Sequence, residues 1–150
     1  WKLLGKKEML VPASNYAFLF QQPVENLLGE KFLSPEHTRW EKHRVWVVEG
    51  TLKEGLRHLY SKRRIYIDED SWAAAAGETY DGKGNLWRAS FAYGARLYDR
   101  KSGAGASGAY DLLQNIYNLN GKPIPGKFKN GVTQGEKYFT PKGLARGGVR

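Results

Sequence analysis

The chain has 150 residues, of which 41% are hydrophobic and 13% aromatic, enough apolar material for one packed domain. It contains no cysteine, which excludes disulfides, thiol nucleophiles and cysteine-ligated metal sites. The formal charge of +9 indicates either a polyanionic partner or an ordinary basic surface, because the Lys and Arg are spread along the chain.

The N-terminal part begins with a predicted strand over residues 1–11. Prolines interrupt residues 12–29, and the apolar side chains there are expected to cover part of a sheet: Tyr16, Phe18, Leu19 and Phe20. Ser34 is expected to cap a short helix with Pro35 at its first position, and this helix should end near Trp40.

A β-hairpin is the most firmly predicted element. Two runs rich in β-branched and aromatic residues, 44–52 and 58–67, flank the turn 53–55. Gly55 can take the left-handed conformation that a hairpin loop of roughly three to five residues needs.

The two hairpin strands differ in how their faces are predicted to be covered. Trp46 and Val48 alternate with valines, so both faces of the first strand are apolar and both are expected to be covered. In the second strand we expect the face of Ile65 and Ile67 to enter the core, opposite Tyr66.

Two further strands are predicted after the hairpin. Residues 72–80 contain four alanines, which favour helix, but the turns on either side favour a strand. Residues 81–85 form a second hairpin turn, and 86–98 alternate cleanly between an apolar and a mixed face.

The C-terminal third is predicted to be mostly loop. Residues 99–108 should be a flexible Gly/Ser loop, 110–118 a last strand, and 121–150 a loop-rich tail. Thr140 and Pro141 are expected to begin a short helix within that tail. The predicted fold is therefore mainly β, a curved antiparallel sheet of at least five strands with one or two short helices.

Several motifs occur in a recognisable order along the chain. They are RWEKHRVWVVE at 39–49, RHLYSKR at 57–63, YIDEDSW at 66–72, YDGKGNLWR at 80–88, YDL at 110–112, and FTP and LAR at 139–146. This series resembles the C-terminal part of an uncharacterised family of Gram-negative bacteria, a domain of unknown function often labelled outer-membrane lipoprotein-sorting-like. The alanine run 73–76 and the loop 103–108 depart from the family's bulkier pattern.

The resemblance implies a fold like that of the periplasmic lipoprotein carriers, an open half-barrel that holds a hydrophobic cavity under helices. It also implies a periplasmic or outer-membrane-associated location. Family members are longer, so residues 1–150 are expected to form one domain or the C-terminal portion of a larger β domain. The chain begins with Trp1 and carries no leader pattern, so we expect a signal peptide to be either absent or removed with upstream sequence.

The residues themselves predict no catalytic centre, metal or cofactor. The three histidines lack zinc-site spacing, and hydrogen-bonded or surface histidines are the simpler interpretation. The acidic run 68–70 lies where turns need Asp, and no nucleophile or phosphate-loop motif occurs. We therefore expect a protein that is not an enzyme.

Aromatic side chains on the strands are the predicted ligand-binding residues, although core residues would show the same pattern. The predicted set is Trp46, Val48, Tyr60, Tyr66, Trp72, Trp87, Phe91 and Tyr93. The predicted basic rim for anionic headgroups is Lys62, Arg63, Arg64 and Arg88.

The favoured function is binding or transfer of a lipophilic ligand or an acylated protein, with an inner-membrane transporter and the membrane surface as further expected partners. The alternative is a basic aromatic sheet that binds nucleic acid or another polyanion, carried by Tyr60, Lys62, Arg64 and Tyr66 on one face. Nucleic acid is the less favoured partner.

Overall fold

Seven strands form one open antiparallel sheet in chain order, in a computed structural model that describes residues 1–98, 102–123 and 135–147. The strands are β1 (Lys2–Pro12), β2 (Trp40–Thr51), β3 (Lys62–Asp68), β4 (Ala74–Tyr80), β5 (Leu86–Leu97), β6 (Ser102–Asp111) and β7 (Ile116–Asn120). The predicted fold class, mainly β with a curved antiparallel sheet, is confirmed. The sheet curls so far that β1 approaches β4 and β5.

Short helical segments lie in two places. Between β1 and β2 there are a π-helical turn (Ala17–Gln21), α1 (Val24–Leu27) and a 3-10 turn (Pro35–His37); a second 3-10 turn (Glu136–Phe139) and α2 (Pro141–Gly147) follow β7. The predicted cap of α2 is confirmed, because the Gly143 N–H donates to Thr140 Oγ1 at 3.1 Å. Ser34 makes no capping hydrogen bond, and its predicted helix is a single 3-10 turn.

One face of the sheet, here called the inner face, holds the core. The register places Val47, Tyr66, Ala76, Phe91 and Gly108 side by side on this face, across β2 to β6. Val45 and Tyr66 are buried at one side of the inner face, and Tyr93 is buried at the other. The inner face therefore supplies the hydrophobic core that a single-layer sheet needs.

The connection between β1 and β2 covers the β5–β6 side of the inner face. Phe18 is fully buried, and its ring stacks on Tyr93 with centroids 4.5 Å apart and planes 7° from parallel. The Asn15 N–H donates to the Gly94 carbonyl at 2.9 Å, and the Asn15 side chain accepts the Arg39 N–H at 2.9 Å. The prediction that Phe18 and Leu19 cover the sheet is thus confirmed, whereas Tyr16 remains largely exposed.

The predicted flexible loop 99–108 is wrong from residue 102 onward, because those residues form β6. Residues 99–101 lie outside the described residues. Small side chains suit β6 because the covering segment packs closely on it: a Cβ at Gly108 would lie 3.1 Å from atoms of both Leu33 and Tyr93. Glycine here marks close packing on a strand rather than chain flexibility.

The predicted hairpin exists, but its connection is longer than expected. The β2–β3 ladder ends at the pair Thr51 and Lys62, which leaves the ten-residue connection 52–61. Gly55 does take the left-handed conformation, with φ of 79°. At the end of this connection Ser61 bonds to both neighbours: its carbonyl accepts the Leu52 N–H at 2.8 Å, and its N–H donates to the Tyr80 carbonyl at 3.0 Å.

The predicted core face of β3 is also wrong. Tyr66 is buried on the inner face, whereas Ile65 and Ile67 are only half-buried on the outer face, opposite Val48 and Trp46. The predicted double cover of β2 is correspondingly incomplete, since its outer face is only partly covered. Lys62 and Arg64 share the inner face with Tyr66, where both form ion pairs with Glu49.

The other predictions for strands have mixed outcomes. The predicted strands over 72–80 and 86–98 and the turn between them are confirmed as β4, β5 and residues 81–85. The predicted strand 110–118 is wrong, because it is interrupted by the turn 112–115 before β7. Of the predicted loop-rich tail, residues 124–134 and 148–150 lie outside the described residues.

We expect the substitution Phe18→Ala to lower the free energy of unfolding by about 3–5 kcal/mol, because it removes a fully buried ring that stacks on Tyr93. Tyr16→Ala is the control, since Tyr16 lies two residues away and is 49% exposed, against 0% for Phe18; its loss should be below about 1 kcal/mol. Urea unfolding followed by circular dichroism measures both. Equal losses would contradict the assigned role of Phe18.

Candidate functional site

An apolar cavity of about 400 Å³ lies between the inner face of β5–β6 and residues 31–40. Its lining is mostly aromatic and aliphatic: Phe32, Leu33, Pro35, Trp40, Ala89, Phe91, Tyr93, Tyr110, Leu112 and Ile116, with Lys31, Thr38, Asp111 and Asn115 as the polar members. A volume of this size falls in the range of roughly 300–1,000 Å³ that is usual for small-molecule sites.

The aromatic walls of the cavity follow from strand alternation. Ala89, Phe91 and Tyr93 alternate onto the inner face of β5, and Tyr110 pairs with Ala89 from β6. The Phe91 ring meets Trp40 edge-on at 5.6 Å and Tyr110 edge-on at 6.0 Å. These contacts hold the walls in one geometry, as edge-to-face aromatic pairs do.

Two tyrosine hydroxyl groups close the deep end of the cavity. The hydroxyl oxygens of Tyr93 and Tyr110 lie 2.8 Å apart and form a hydrogen bond. Burial raises the pKa of both phenols, so both stay neutral at ordinary pH. The deep end is therefore an uncharged, hydrogen-bonded polar pair on an otherwise apolar wall.

The opposite end of the cavity opens at the turn between β6 and β7. Phe32, Leu112 and Ile116 line this opening and are themselves exposed, in contrast to Tyr93, which is 1% exposed at the deep end. An apolar ligand could enter here without displacing a buried side chain. Exposed apolar residues grouped around a cavity are typical of a binding site.

Asp111 fixes the turn at this opening. Its carboxylate accepts hydrogen bonds from Trp87 Nε1 at 2.9 Å and Arg88 Nε at 3.0 Å, and from the backbone N–H of Gln114 at 3.0 Å. Burial alone would raise the pKa of Asp111, but these bonds outweigh it and lower the pKa. The carboxylate is thus ionised and organises the turn rather than a reaction.

Two of the predicted ligand-binding residues, Phe91 and Tyr93, line the cavity. Tyr66 is buried on the inner face but near β2 and β4, outside the cavity. The other predicted residues lie outside this cavity lining, because they stand on other strands, on the outer face or in turns.

Trp46 and Val48 lie on the outer face, where Lys6 Nζ sits 4.2 Å from the Trp46 ring centroid. Trp72 is exposed in the β3–β4 turn. Tyr60 and Trp87 pack against each other with centroids 5.5 Å apart, away from the cavity lining.

The predicted basic rim does not surround the cavity. Lys62 and Arg64 are on the inner face beside Glu49, and Arg64 Nη2 lies 2.6 Å from the Glu49 carboxylate. Arg63 is on the outer face over the Tyr60 ring, and Arg88 pairs with Asp111. Strand alternation divides Lys62, Arg63 and Arg64 between the two faces of β3, and Arg88 lies on β5.

The residues that prediction missed come from outside the hairpin. Phe32 and Leu33 precede β2 and Trp40 begins it, while Leu112 lies in, and Ile116 follows, a turn that was predicted as strand. Apolar residues in a turn sequence, LLQNI at 112–116, were the available signal, because a solvated turn has no need of them.

A polar network occupies the other side of the inner face. Arg64 bridges Glu49, at 2.6 Å, and Glu78, at 3.6 Å, while the Tyr80 hydroxyl donates to Glu78 at 2.6 Å. Burial and Glu78 raise the pKa of Tyr80 to about 12, and the bond to Glu49 raises the pKa of Arg64. The cavity is therefore confined to the β5–β7 side.

His43 forms a second polar cluster at the start of β2. Its Nδ1 lies 2.5 Å from Asp68 and its Nε2 lies 3.2 Å from Glu41. The bond to Asp68 and, less strongly, that to Glu41 raise the pKa of His43 against the effect of burial. Ser71 donates to the far oxygen of Asp68, at 2.7 Å, rather than to His43, so these groups do not form a proton relay toward a nucleophile.

No group of three or more Asp, Glu or His side chains that could hold a metal ion occurs within residues 1–98, 102–123 and 135–147. Over the same ranges, no helix is both long and apolar enough to cross a membrane.

Comparisons with known proteins identify a family and a relative, and neither description gives an activity. The model of a family described as "Protein of unknown function (DUF1329)" matches residues 1–145. An uncharacterized protein of Pseudomonas aeruginosa is 38% identical over 156 aligned residues, which cover 100% of this chain and 34% of that relative. The chain thus spans about a third of that protein's length. No solved structure matches the chain.

We expect His43 to make stability fall as the pH rises through neutrality. Its pKa is raised above the ordinary value of 6.5, so its contribution is complete below about 6.5 and is lost as the pH rises through the folded-state pKa. Urea unfolding at a series of pH values above about 5, where carboxylates stay ionised, measures this decline. His43→Gln should abolish it; the same decline in the variant would assign it to other groups.

Proposed function

We propose a function for this chain, which belongs to the DUF1329 family of unknown function: it binds a lipophilic ligand in the apolar cavity between β5–β6 and residues 31–40. The observation that supports this proposal is a cavity of about 400 Å³ with an aromatic wall, a neutral deep end and an exposed apolar opening. Burial of an alkyl chain there would contribute about 0.8 kcal/mol per methylene.

The chemistry of the lining favours binding over catalysis. The polar lining members are Lys31, Thr38, Asp111 and Asn115, and Asp111 is already engaged by Trp87 and Arg88. A reaction needs a nucleophile beside a base, or converging charged groups, in the cavity. We therefore propose a carrier or receptor for a lipophile or an acylated protein, and not an enzyme.

A periplasmic or outer-membrane-associated location is part of the same proposal, with a lipoprotein or an inner-membrane transporter as the exchange partner. A carrier for an acyl chain is needed where apolar molecules cross an aqueous compartment, since each methylene opposes transfer into water. The resemblance to lipoprotein carriers is the only support for the compartment. The activity of a longer protein like the Pseudomonas relative is equally a proposal.

The nucleic-acid alternative has weaker support. It requires Tyr60, Lys62, Arg64 and Tyr66 to share one accessible face, but Tyr66 is buried and Lys62 and Arg64 pair with Glu49. Tyr60 lies in the 52–61 connection, outside β3.

Filling the cavity tests lipophile binding. We expect Ala89→Leu to weaken binding of a dye that fluoresces in apolar surroundings by at least about tenfold, because its added methylenes occupy the space of about two ligand methylenes. Ala92→Leu is the matched control, since Ala92 lies on the outer face of the same strand. Fluorescence titration measures the affinity, and native mass spectrometry after incubation with a membrane lipid extract identifies bound lipids.

Two outcomes would contradict lipophile binding in this cavity. One is equal dye affinity for Ala89→Leu, Ala92→Leu and the unmodified chain when all three unfold at the same urea concentration. The other is no dye and no lipid bound by the unmodified chain.

A further inference from the structure

We propose that one end of the sheet docks on the surface of an anionic lipid bilayer, so that the cavity opens toward the membrane. In an antiparallel sheet in chain order, alternate connections lie at the same end, which here groups 52–61, 81–85 and 112–115. This end is called the turn end below. The inference rests on the proposed lipophile binding, because docking brings the opening to the source of the ligand.

The turn end carries exposed aliphatic side chains on two of its three connections. Leu56 and Leu59 project from 52–61 and are 61% and 70% exposed. Leu112 and Leu113 are exposed in 112–115, and Ile116 follows at the start of β7. Exposed aliphatic side chains on turns lower solubility and do not contribute to the core. Grouped together, they indicate a surface that binds a partner or a membrane.

Ring contacts and hydrogen bonds link the connections 52–61 and 112–115 to each other. Tyr60, at the end of the first connection, packs its ring on Trp87 at 5.5 Å and accepts a hydrogen bond from Arg88 at 2.8 Å. Trp87 in turn donates to Asp111 at 2.9 Å, the carboxylate that organises the turn 112–115. The aliphatic side chains are therefore held as one surface that includes the cavity opening.

The backbone of the 52–61 connection is itself fixed. The Leu52 N–H donates to the Ser61 carbonyl at 2.8 Å, and the Leu56 N–H donates to the Lys53 carbonyl at 3.2 Å. Leu56 is thus presented by a closed turn. A presented aliphatic side chain can insert into a membrane interface with little further ordering of the chain.

The charges beside these leucines suit anionic headgroups. Lys53, Arg57 and Arg63 are exposed in or beside the connection, against the single carboxylate of Glu54. Arg63 lies over the Tyr60 ring at 4.9 Å, which keeps its guanidinium at the surface. Aliphatic side chains separated by cations are typical of segments that lie in the interface of anionic membranes.

Vesicle flotation tests the docking. We compare vesicles of phosphatidylcholine with vesicles that contain roughly a third phosphatidylglycerol, a composition that gives the negative surface potential on which cation attraction depends. The unmodified chain should float with the anionic vesicles and less with the neutral ones. Replacing both leucines, Leu56→Ser with Leu59→Ser, should weaken binding to anionic vesicles by at least about tenfold.

The matched control is the double variant Leu10→Ser with Trp72→Ser. Leu10 is 61% exposed and Trp72 is 71% exposed, which matches the exposed fractions of Leu56 and Leu59 within one percentage point. Leu10 and Trp72, however, lie toward the opposite end of the sheet. This variant removes at least as much exposed apolar surface, because tryptophan is larger than leucine, and should float like the unmodified chain. Urea unfolding confirms that both double variants remain folded.

The outcomes separate this inference from the proposed function. Loss of flotation in the Leu56/Leu59 variant, with dye affinity in solution unchanged, supports docking at the turn end. No flotation of the unmodified chain, equal flotation of both double variants, or a larger loss from the Leu10/Trp72 variant would overturn it while leaving dye binding intact. Flotation without any dye binding would instead contradict the proposed binding of a ligand in the cavity.

Discussion

The stacking of Phe18 on Tyr93 is the contact on which the rest of the structure depends. A single-layer sheet has an apolar face that must be covered, and here the β1–β2 connection covers it on the β5–β6 side. Asn15 fixes where that connection crosses the sheet, through its bonds to Gly94 and Arg39. Residues 31–40 and the inner face of β5–β6 line the cavity between them.

The sequence was sufficient to predict elements that local chemistry determines. The alternation in β5 continues for twelve residues, so its extent and its apolar face could be assigned without knowing any neighbour. The 81–85 turn was predictable because Asp81 accepts the N–H groups of Lys83 and Asn85 within the turn itself. The fold class follows from several such elements in succession. Family membership could be predicted because the motifs occur in a fixed order along the chain.

Features that depend on distant partners could not be predicted. The inner face of β3 carries Lys62 and Arg64, which appear solvated until Glu49 and Glu78 are known to lie beside them on neighbouring strands. The same holds for β6, whose small residues suggested a loop because the packing of Leu33 on Gly108 is invisible in the chain. For the cavity, alternation placed Phe91 and Tyr93, but its other wall comes from residues 31–40 and 112–116. Those residues lie in no regular pattern.

The division of the inner face explains why a ligand would have one direction of entry. Toward β2–β4, an alkyl chain could enter only if the ion pairs of Arg64 with Glu49 and Glu78 were broken. Breaking them would leave unpaired charges beside an apolar ligand. At the deep end the hydroxyl groups of Tyr93 and Tyr110 are hydrogen-bonded to each other, and this pair is the polar part of an otherwise aromatic wall. The remaining route runs past Phe32 and Ile116, where the surface is already apolar. Asp111 ties this route to Trp87 and Tyr60, so the residues that shape the opening also position the exposed leucines beside it.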